Sequence, residues 1–304
     1  MTRHTVWSQW GEAISSHGHR LLGPDSRSLE SDELSDITVY VPRYMSGAAG
    51  LSHIARMPSL KLLQVPYAGY EDALAILPEG VTLCNAGEVH TQSTAELAVA
   101  LMLASSRGID RFVRNQLQGA WRHETLQSLS GKRALVIGFG SIGKKIAEML
   151  KPFEVEVVGV TRTGRDGTNP LSDLDPILPD FDIVVLATPA NSESKQLMSA
   201  ERLAMLKSGA LLVNVSRGST VDTQALVREL IEGRITAALD VTDPEPLPSD
   251  HPLWDLENVI IAPHVGGDSS AFEPRMLKLL DEQLARLADD LDPLHVVAGP
   301  ATIS

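Results

Sequence analysis

Residues 134–143, Ala-Leu-Val-Ile-Gly-Phe-Gly-Ser-Ile-Gly, decide how the rest of this chain is read. Four apolar residues run directly into Gly138-Phe139-Gly140-Ser141-Ile142-Gly143, and a helical pattern continues to Leu150. Strand, glycine loop and helix in that order make a phosphate cradle. Gly138 permits the tight turn, Gly140 lets backbone approach a pyrophosphate, and Gly143 lets the helix pack on the strand. Ser141 and Ile142 open the helix, whose free N–H groups and positive dipole end favour phosphate. A bare G-x-G-x-x-G is common by chance, so its surroundings have to carry the reading.

Downstream, short apolar runs alternate with helical patterns. Strands are expected at 134–138, 155–160, 182–187, 210–215, 236–241 and 258–262, with helices at 141–150, 200–206, 223–233 and 271–288. These runs are rich in Val, Ile, Leu and Ala without polar alternation, which suits strands buried on both faces. Six of them with helices between predict a doubly wound parallel sheet. Upstream, the runs at 37–41, 60–65 and 81–84 predict further strands, and 94–107 reads as a buried or interface helix.

The composition fits that picture. A chain of 304 residues suits two α/β domains, and 43% hydrophobic with 21% charged residues is a globular mixture. The net charge of −13 repels nucleic acid and acidic membrane surfaces, and no dense Lys/Arg run offsets it. Cys84 is the single cysteine, so no internal disulfide is possible and a reducing compartment is expected. The first twenty residues lack a signal-peptide core. The apolar run at 95–104 is broken by Glu96 and is too short to span a bilayer. A cytoplasmic location, no metal and no membrane partner are the expectations.

Ligands on doubly wound sheets bind beyond the carboxyl ends of the strands. Thr161-Arg162-Thr163 follows the second strand, Thr188-Pro189 the third and Ser216-Arg217 the fourth, while Asp240 sits in the fifth and His264 follows the sixth. Arg217, Glu245 and His264 each have an ordinary reading: a surface arginine by a glycine turn, a solvated proline-rich loop, a satisfied strand-end histidine. Together they meet the needs of one reaction. Reducing a 2-oxo acid takes a cation for the carboxylate, a proton donor for the carbonyl oxygen and an adjacent hydride. Arginine binds carboxylate with a planar fork, histidine donates protons near neutrality, and a carboxylate partner orients it and favours its cation.

Ordered stretches of the chain resemble the D-isomer-specific 2-hydroxyacid dehydrogenases, in particular the glyoxylate/hydroxypyruvate reductase kind. They are the glycine loop, Asn85-Ala-Gly with Thr94-Ala-Glu, Asn214-Val-Ser-Arg-Gly, Ala238-Leu-Asp-Val-Thr-Asp-Pro-Glu-Pro and Ala262-Pro-His-Val-Gly-Gly. The resemblance extends from about residue 60 to the final helix. It implies Arg217 as the substrate anchor, Glu245 as the partner of the histidine and His264 as acid/base. It also implies Asp240, with Gly266 and Gly267, near the nicotinamide, and backbone N–H groups of Tyr67-Ala68-Gly69 on the substrate carboxylate. The implied architecture is a Rossmann domain at 93–269 inserted into a smaller flavodoxin-like substrate domain at 1–92 and 270–304. Family members often carry Gly-x-Asp where this chain has Gly69-Tyr70-Glu71, and the first sixty residues match poorly.

The cofactor is read from the loop after the second strand. An NAD-selective site usually offers an acidic side chain there for the ribose hydroxyls. Here the residues are Thr161-Arg162-Thr163-Gly164-Arg165, with no carboxylate before Asp166. NADP(H) is therefore expected to be preferred, with NAD(H) possible. A homodimer through the 94–107 helix is expected, with a small 2-oxo or 2-hydroxy acid as the substrate. Two other readings stay open on the sequence: a cofactor-sensing, corepressor-like binding protein, and a formate- or phosphonate-type dehydrogenase.

Overall fold

Apolar runs that alternate their side chains between two covered faces account for the larger half of the molecule. The computed structural model describes residues 3–23, 32–189 and 191–303. They divide into two units, Met1–His90 with Ser270–Ser304, and Thr91–Ser269.

Among its described residues the second unit contains seven strands: β6 (Arg133–Ile137), β7 (Glu156–Thr161), β8 (Asn169–Pro170), β9 (Ile183–Leu186), β10 (Leu211–Asn214), β11 (Thr236–Leu239) and β12 (Val259–Ile261). All are parallel, in the order β12-β11-β10-β9-β6-β7-β8. Chain order reverses between β6 and β9, which is the switch point of a doubly wound Rossmann sheet. β6 sends Leu135 and Ile137 into one core cluster and Ala134 and Val136 into the other. β9 and β10 divide their residues in the same way. These three strands are thus buried on both faces, and each fully buried Leu or Val adds roughly 1.5–3 kcal/mol. Six strands were expected here and the sheet has a seventh. β8 is a two-residue edge strand, too short and polar to leave a sequence pattern.

The covering helices begin where the sequence supplies caps. Ser199 accepts from the Arg202 N–H before the 200–205 helix, and Asp222 accepts from Ala225 N–H before the 223–231 helix. The helix expected at 94–107 runs Thr91–Ser106. Its Leu101 and Met102 lie in the core with Ile146 and Leu150 of the 141–150 helix, and Leu97 is partly buried there. Burial inside the unit accounts for these residues, which is the first of the two readings that the sequence left open. The exposed apolar face belongs to the next helix, Ile109–Leu117, where Ile109, Phe112, Val113 and Leu117 all face solvent.

Among its described residues the first unit has six strands: β1 (Thr5–Ser8), β2 (Arg20–Leu22), β3 (Val39–Val41), β4 (Leu62–Gln64), β5 (Thr82–Cys84) and β13 (Val296–Ala298). Their order is β13-β5-β4-β3-β1-β2, with the first five in chain order parallel and β13 antiparallel to β5. Without β13 this is the 2-1-3-4-5 flavodoxin-like order. β1 and β2, in the poorly matching N-terminal region, and β13 were not expected from the sequence. Trp7 of β1 and Tyr40 of β3 are fully buried, with rings 5.5 Å apart.

Candidate active site

The carboxyl edge of the seven-stranded sheet holds two arrangements: a groove at β6, β7 and β9, and a polar network at β10, β11 and β12. From β7 to β11 is four strand spacings, roughly 19 Å at about 4.8 Å each.

The groove begins at the glycine loop. Gly138 has φ +95°, and a Cβ there would meet the Ala187 backbone at 2.5 Å. A Cβ on Gly143 would sit 2.2 Å from the Gly138 oxygen. Gly140 differs: a Cβ there would meet nothing within 4 Å. Its bare backbone faces open space where the 141–150 helix begins, and Ser141 and Ile142 form that first turn. A cleft of about 440 Å³ opens here, lined by Gly138, Gly140, Thr161, Arg162, Thr188 and Pro189 among the expected residues. Thr163 is drawn aside into a bridge with Pro170. The close backbone turn, the open Gly140 and the helix N-terminus fit a dinucleotide pyrophosphate.

Thr161 has a task the sequence did not reveal. Its hydroxyl accepts from the Gly164 and Arg165 N–H groups, at 3.1 and 3.2 Å, and meets Thr168 Oγ1 at 2.8 Å. Thr168 donates its own proton to the Arg165 oxygen, so the Thr161 proton goes to Thr168. The Thr161 hydroxyl is fully engaged in shaping its own loop. Arg162 and Arg165 are left as the cations of that wall. Asp166 lies 3.6 Å from Lys144.

At the other arrangement the backbone is held by buried polar groups. Asn214, buried at the end of β10, donates to the Arg217 oxygen at 3.0 Å and accepts from Ser216 N–H and Oγ at 3.0 and 2.8 Å. Thr220 donates to the same Arg217 oxygen at 2.6 Å. These bonds fix the turn carrying Arg217, whose Nη1 donates to the Ser216 oxygen at 2.8 Å. Neither Asn214 nor Thr220 was singled out in the sequence, although Asn214 opens one of the matching stretches. A Cβ on Gly218 would lie 1.9 Å from the Thr242 oxygen. The Arg217 turn therefore packs directly on the segment leading to Glu245.

Asp240 follows β11 directly and is 3% exposed. Its two oxygens accept from the Val265 and Gly266 N–H groups at 2.8 and 3.0 Å. Burial pushes its carboxyl up from the usual range, against those two bonds and the nearby His264, which hold it down. His264 takes the left-handed conformation, φ +54°, and its backbone N–H donates to the Asp240 backbone oxygen at 2.8 Å. A non-glycine residue held there by surrounding bonds is typical of functional positions. Its Nδ1 lies 2.5 Å from Glu245 Oε1, with both side chains 41% exposed. An ionised carboxylate can only accept, so Nδ1 carries the hydrogen and Nε2 remains for exchange with a ligand. Gly267 follows directly in the same loop.

The expected triad thus splits into a bonded pair, Glu245 with His264, and an arginine whose turn packs on the Glu245 segment. Tyr67, Ala68 and Gly69 follow β4 in the first unit. There the Ala68 oxygen accepts from Asn85 Nδ2 at 2.9 Å and the Tyr67 oxygen from Ala86 N–H at 3.1 Å. No described helix is long and apolar enough to cross a membrane.

A family model described as D-isomer specific 2-hydroxyacid dehydrogenase, NAD binding domain, matches residues 99–266. The chain is 35% identical over 250 residues to a glyoxylate reductase of Pyrococcus horikoshii, covering 75% of this chain and 73% of the relative. It is 30% identical over 265 residues to a hydroxypyruvate reductase of Thermotoga maritima, covering 83% and 86%. Among solved structures, an NADPH-dependent glyoxylate/hydroxypyruvate reductase of Sinorhizobium meliloti, in complex with NADP and malonate, superposes with a TM-score of 0.76. It is 25% identical, over 99% of this chain and 98% of that one.

Proposed function

Because this chain belongs to the D-isomer specific 2-hydroxyacid dehydrogenase family, we propose that it reduces a small 2-oxo acid of the glyoxylate or hydroxypyruvate kind, preferably with NADPH. It is an NAD(P)-dependent oxidoreductase of the 2-hydroxyacid class; the substrate, the residue roles and the cofactor preference are our reading.

The observation carrying that reading is the 2.5 Å contact between His264 Nδ1 and Glu245 Oε1. With Nδ1–H committed to Glu245, Nε2 donates a proton to the substrate carbonyl oxygen as it becomes a hydroxyl, and takes it back in the reverse direction. The Glu245 carboxylate faces the charge that builds and decays on the imidazole. Arg217 binds the substrate carboxylate through its fork. Asp240 positions His264 by holding the next two N–H groups. The bound dinucleotide supplies the hydride. Its pyrophosphate is assigned to Gly138, Gly140 and the helix start at Ser141–Gly143, and Thr188, Pro189 and Ser216 lie along the same edge.

The NADPH preference is supported by Arg162 and Arg165 on the cleft wall and by the S. meliloti relative, whose structure holds NADP. Turnover of glyoxylate and hydroxypyruvate with each cofactor, for the parent and Arg162→Ala, tests both parts. No turnover of either acid rejects the substrate reading; a parent favouring NADH rejects the cofactor reading. We also propose a homodimer, supported now by the exposed apolar face of the 109–117 helix and by Trp121, which is 99% exposed. A light-scattering mass near 32.8 kDa, that of one chain, rejects it.

A further inference from the structure

Arg162 already has a partner inside the molecule. Its Nη1 lies 3.7 Å from Glu193 Oε1, with the two side chains 74% and 55% exposed. They come from opposite walls of the 440 Å³ cleft, Arg162 from the loop after β7 and Glu193 from the segment after β9. The backbone at Glu193 is firmly set. Asn191 Oδ1 accepts from the Glu193 and Ser194 N–H groups, both at 2.9 Å, and the buried Ser194 hydroxyl accepts from Asn191 N–H at 2.8 Å. Such a side-chain-closed turn holds its residues in place without help from a strand. The pair spans the groove that separates the two walls.

We propose that Glu193 is an internal counter-ion that competes with a 2′-phosphate for Arg162, and so sets how strongly this site selects a phosphorylated dinucleotide. The inference rests on the reading above that the Arg162 loop takes the 2′-phosphate. A phosphomonoester brings about 1.5 to 2 negative charges at neutral pH. Seating it on Arg162 breaks the contact with Glu193 and leaves two anions beside one guanidinium. Arg165, on the same wall, offers the second cation that this crowding calls for, and Asp166 is turned to Lys144. An adenosine with a free 2′-hydroxyl meets no such repulsion. Glu193 therefore weakens binding of the phosphorylated form alone, and salt, which screens exposed charges, narrows the difference.

Calorimetric titration with 2′,5′-ADP and 5′-AMP reads this without turnover. Glu193→Gln is expected to tighten 2′,5′-ADP about two- to fivefold, the range of an exposed ion pair. It should leave 5′-AMP unchanged and lose its gain when combined with Arg162→Ala. A parent that binds 2′,5′-ADP no better than 5′-AMP overturns the cofactor reading and this inference with it. A parent that prefers 2′,5′-ADP, joined with a Glu193→Gln variant at parental affinity or a gain that survives Arg162→Ala, overturns the inference alone.

Discussion

Two histidines in this molecule show what separates a folding role from a chemical one. His4 immediately precedes the strand β1 in the first unit and is 2% exposed. Its N–H donates to His19 Nδ1 at 3.1 Å, its Nδ1 meets the Thr38 hydroxyl at 3.2 Å, and His19 Nε2 in turn donates to the Leu284 oxygen at 3.0 Å. Burial first, then the neighbouring His19 and Lys61, pushes His4 down to about 4. His264 is half-open, borne on a left-handed backbone and bonded to a carboxylate. The first is closed to solvent with its ring on a neutral hydroxyl, and burial outweighs the charges around it; it stays uncharged and holds strands together. The second has an anion on one nitrogen and the other left for a ligand. A satisfied histidine at a strand end was the ordinary reading of His264, and His4 shows what that reading looks like when it applies.

The sharpest way to break the contrast is to exchange the consequences of losing each ring. His264→Ala is expected to lower kcat by about two to four orders of magnitude, the usual worth of a general acid, while dinucleotide affinity and Tm stay near parental. His4→Gln should do the reverse, losing stability and keeping turnover per folded molecule. Similar kinetics for both variants would dissolve the distinction.

Acid titration gives the next effect. His4 titrates lower in the folded chain than the ordinary 6.5, so the unfolded chain takes the proton first. The stabilisation is complete above pH 6.5 and is lost as pH falls towards 4. Each pKa unit is worth about 1.4 kcal/mol, so the total is at most about 3.5 kcal/mol. Urea unfolding across pH 7 to 4 should show that loss, and His4→Gln should flatten it.

Glycines test the same division on a smaller scale. Gly218→Ala places a methyl into the Thr242 backbone and should cost about 1–3 kcal/mol as an overpacked site. Gly140→Ala meets open space, so Tm should hold while pyrophosphate binding weakens. The least effect is expected from Glu245→Gln. An amide oxygen still accepts from Nδ1–H, and exchanging a charged acceptor for a neutral one costs about 1.4 kcal/mol, roughly tenfold in kcat/KM. A loss as deep as that of His264→Ala would show that Glu245 does more than steady the ring.

Much of the second unit was legible because its strands are buried on both faces, which forces unbroken runs such as Ala134–Ile137 and Leu211–Val213. The first unit was less so. β1, β2 and β13 span three or four residues each and carry too little pattern to read. The His4–His19 bond joins residues fifteen positions apart, which no local spacing announces. The 91–106 helix was read as buried or interface for a physical reason: apolar residues facing a helix and a sheet look the same in sequence as apolar residues facing a partner. Along the carboxyl edge, the chemistry-bearing residues could be listed from the strand ends. The bonds that orient them, from Asn214, Thr220 and Asp240, depend on turns that only the fold defines.

The saturated Thr161 hydroxyl has a consequence for how this enzyme could change over generations. Because that one group ties down the Gly164 and Arg165 amides and reaches Thr168, the loop keeps its shape whatever side chains stand at 162 and 165. Those two positions behave as an interchangeable fitting on a permanent mount. A lineage can trade Arg162 for a carboxylate, or trade it back, in single steps without first disturbing the frame. Preference for one dinucleotide or the other is thereby open to rapid drift or design, whereas a substitution at Thr161 would forfeit the mount itself.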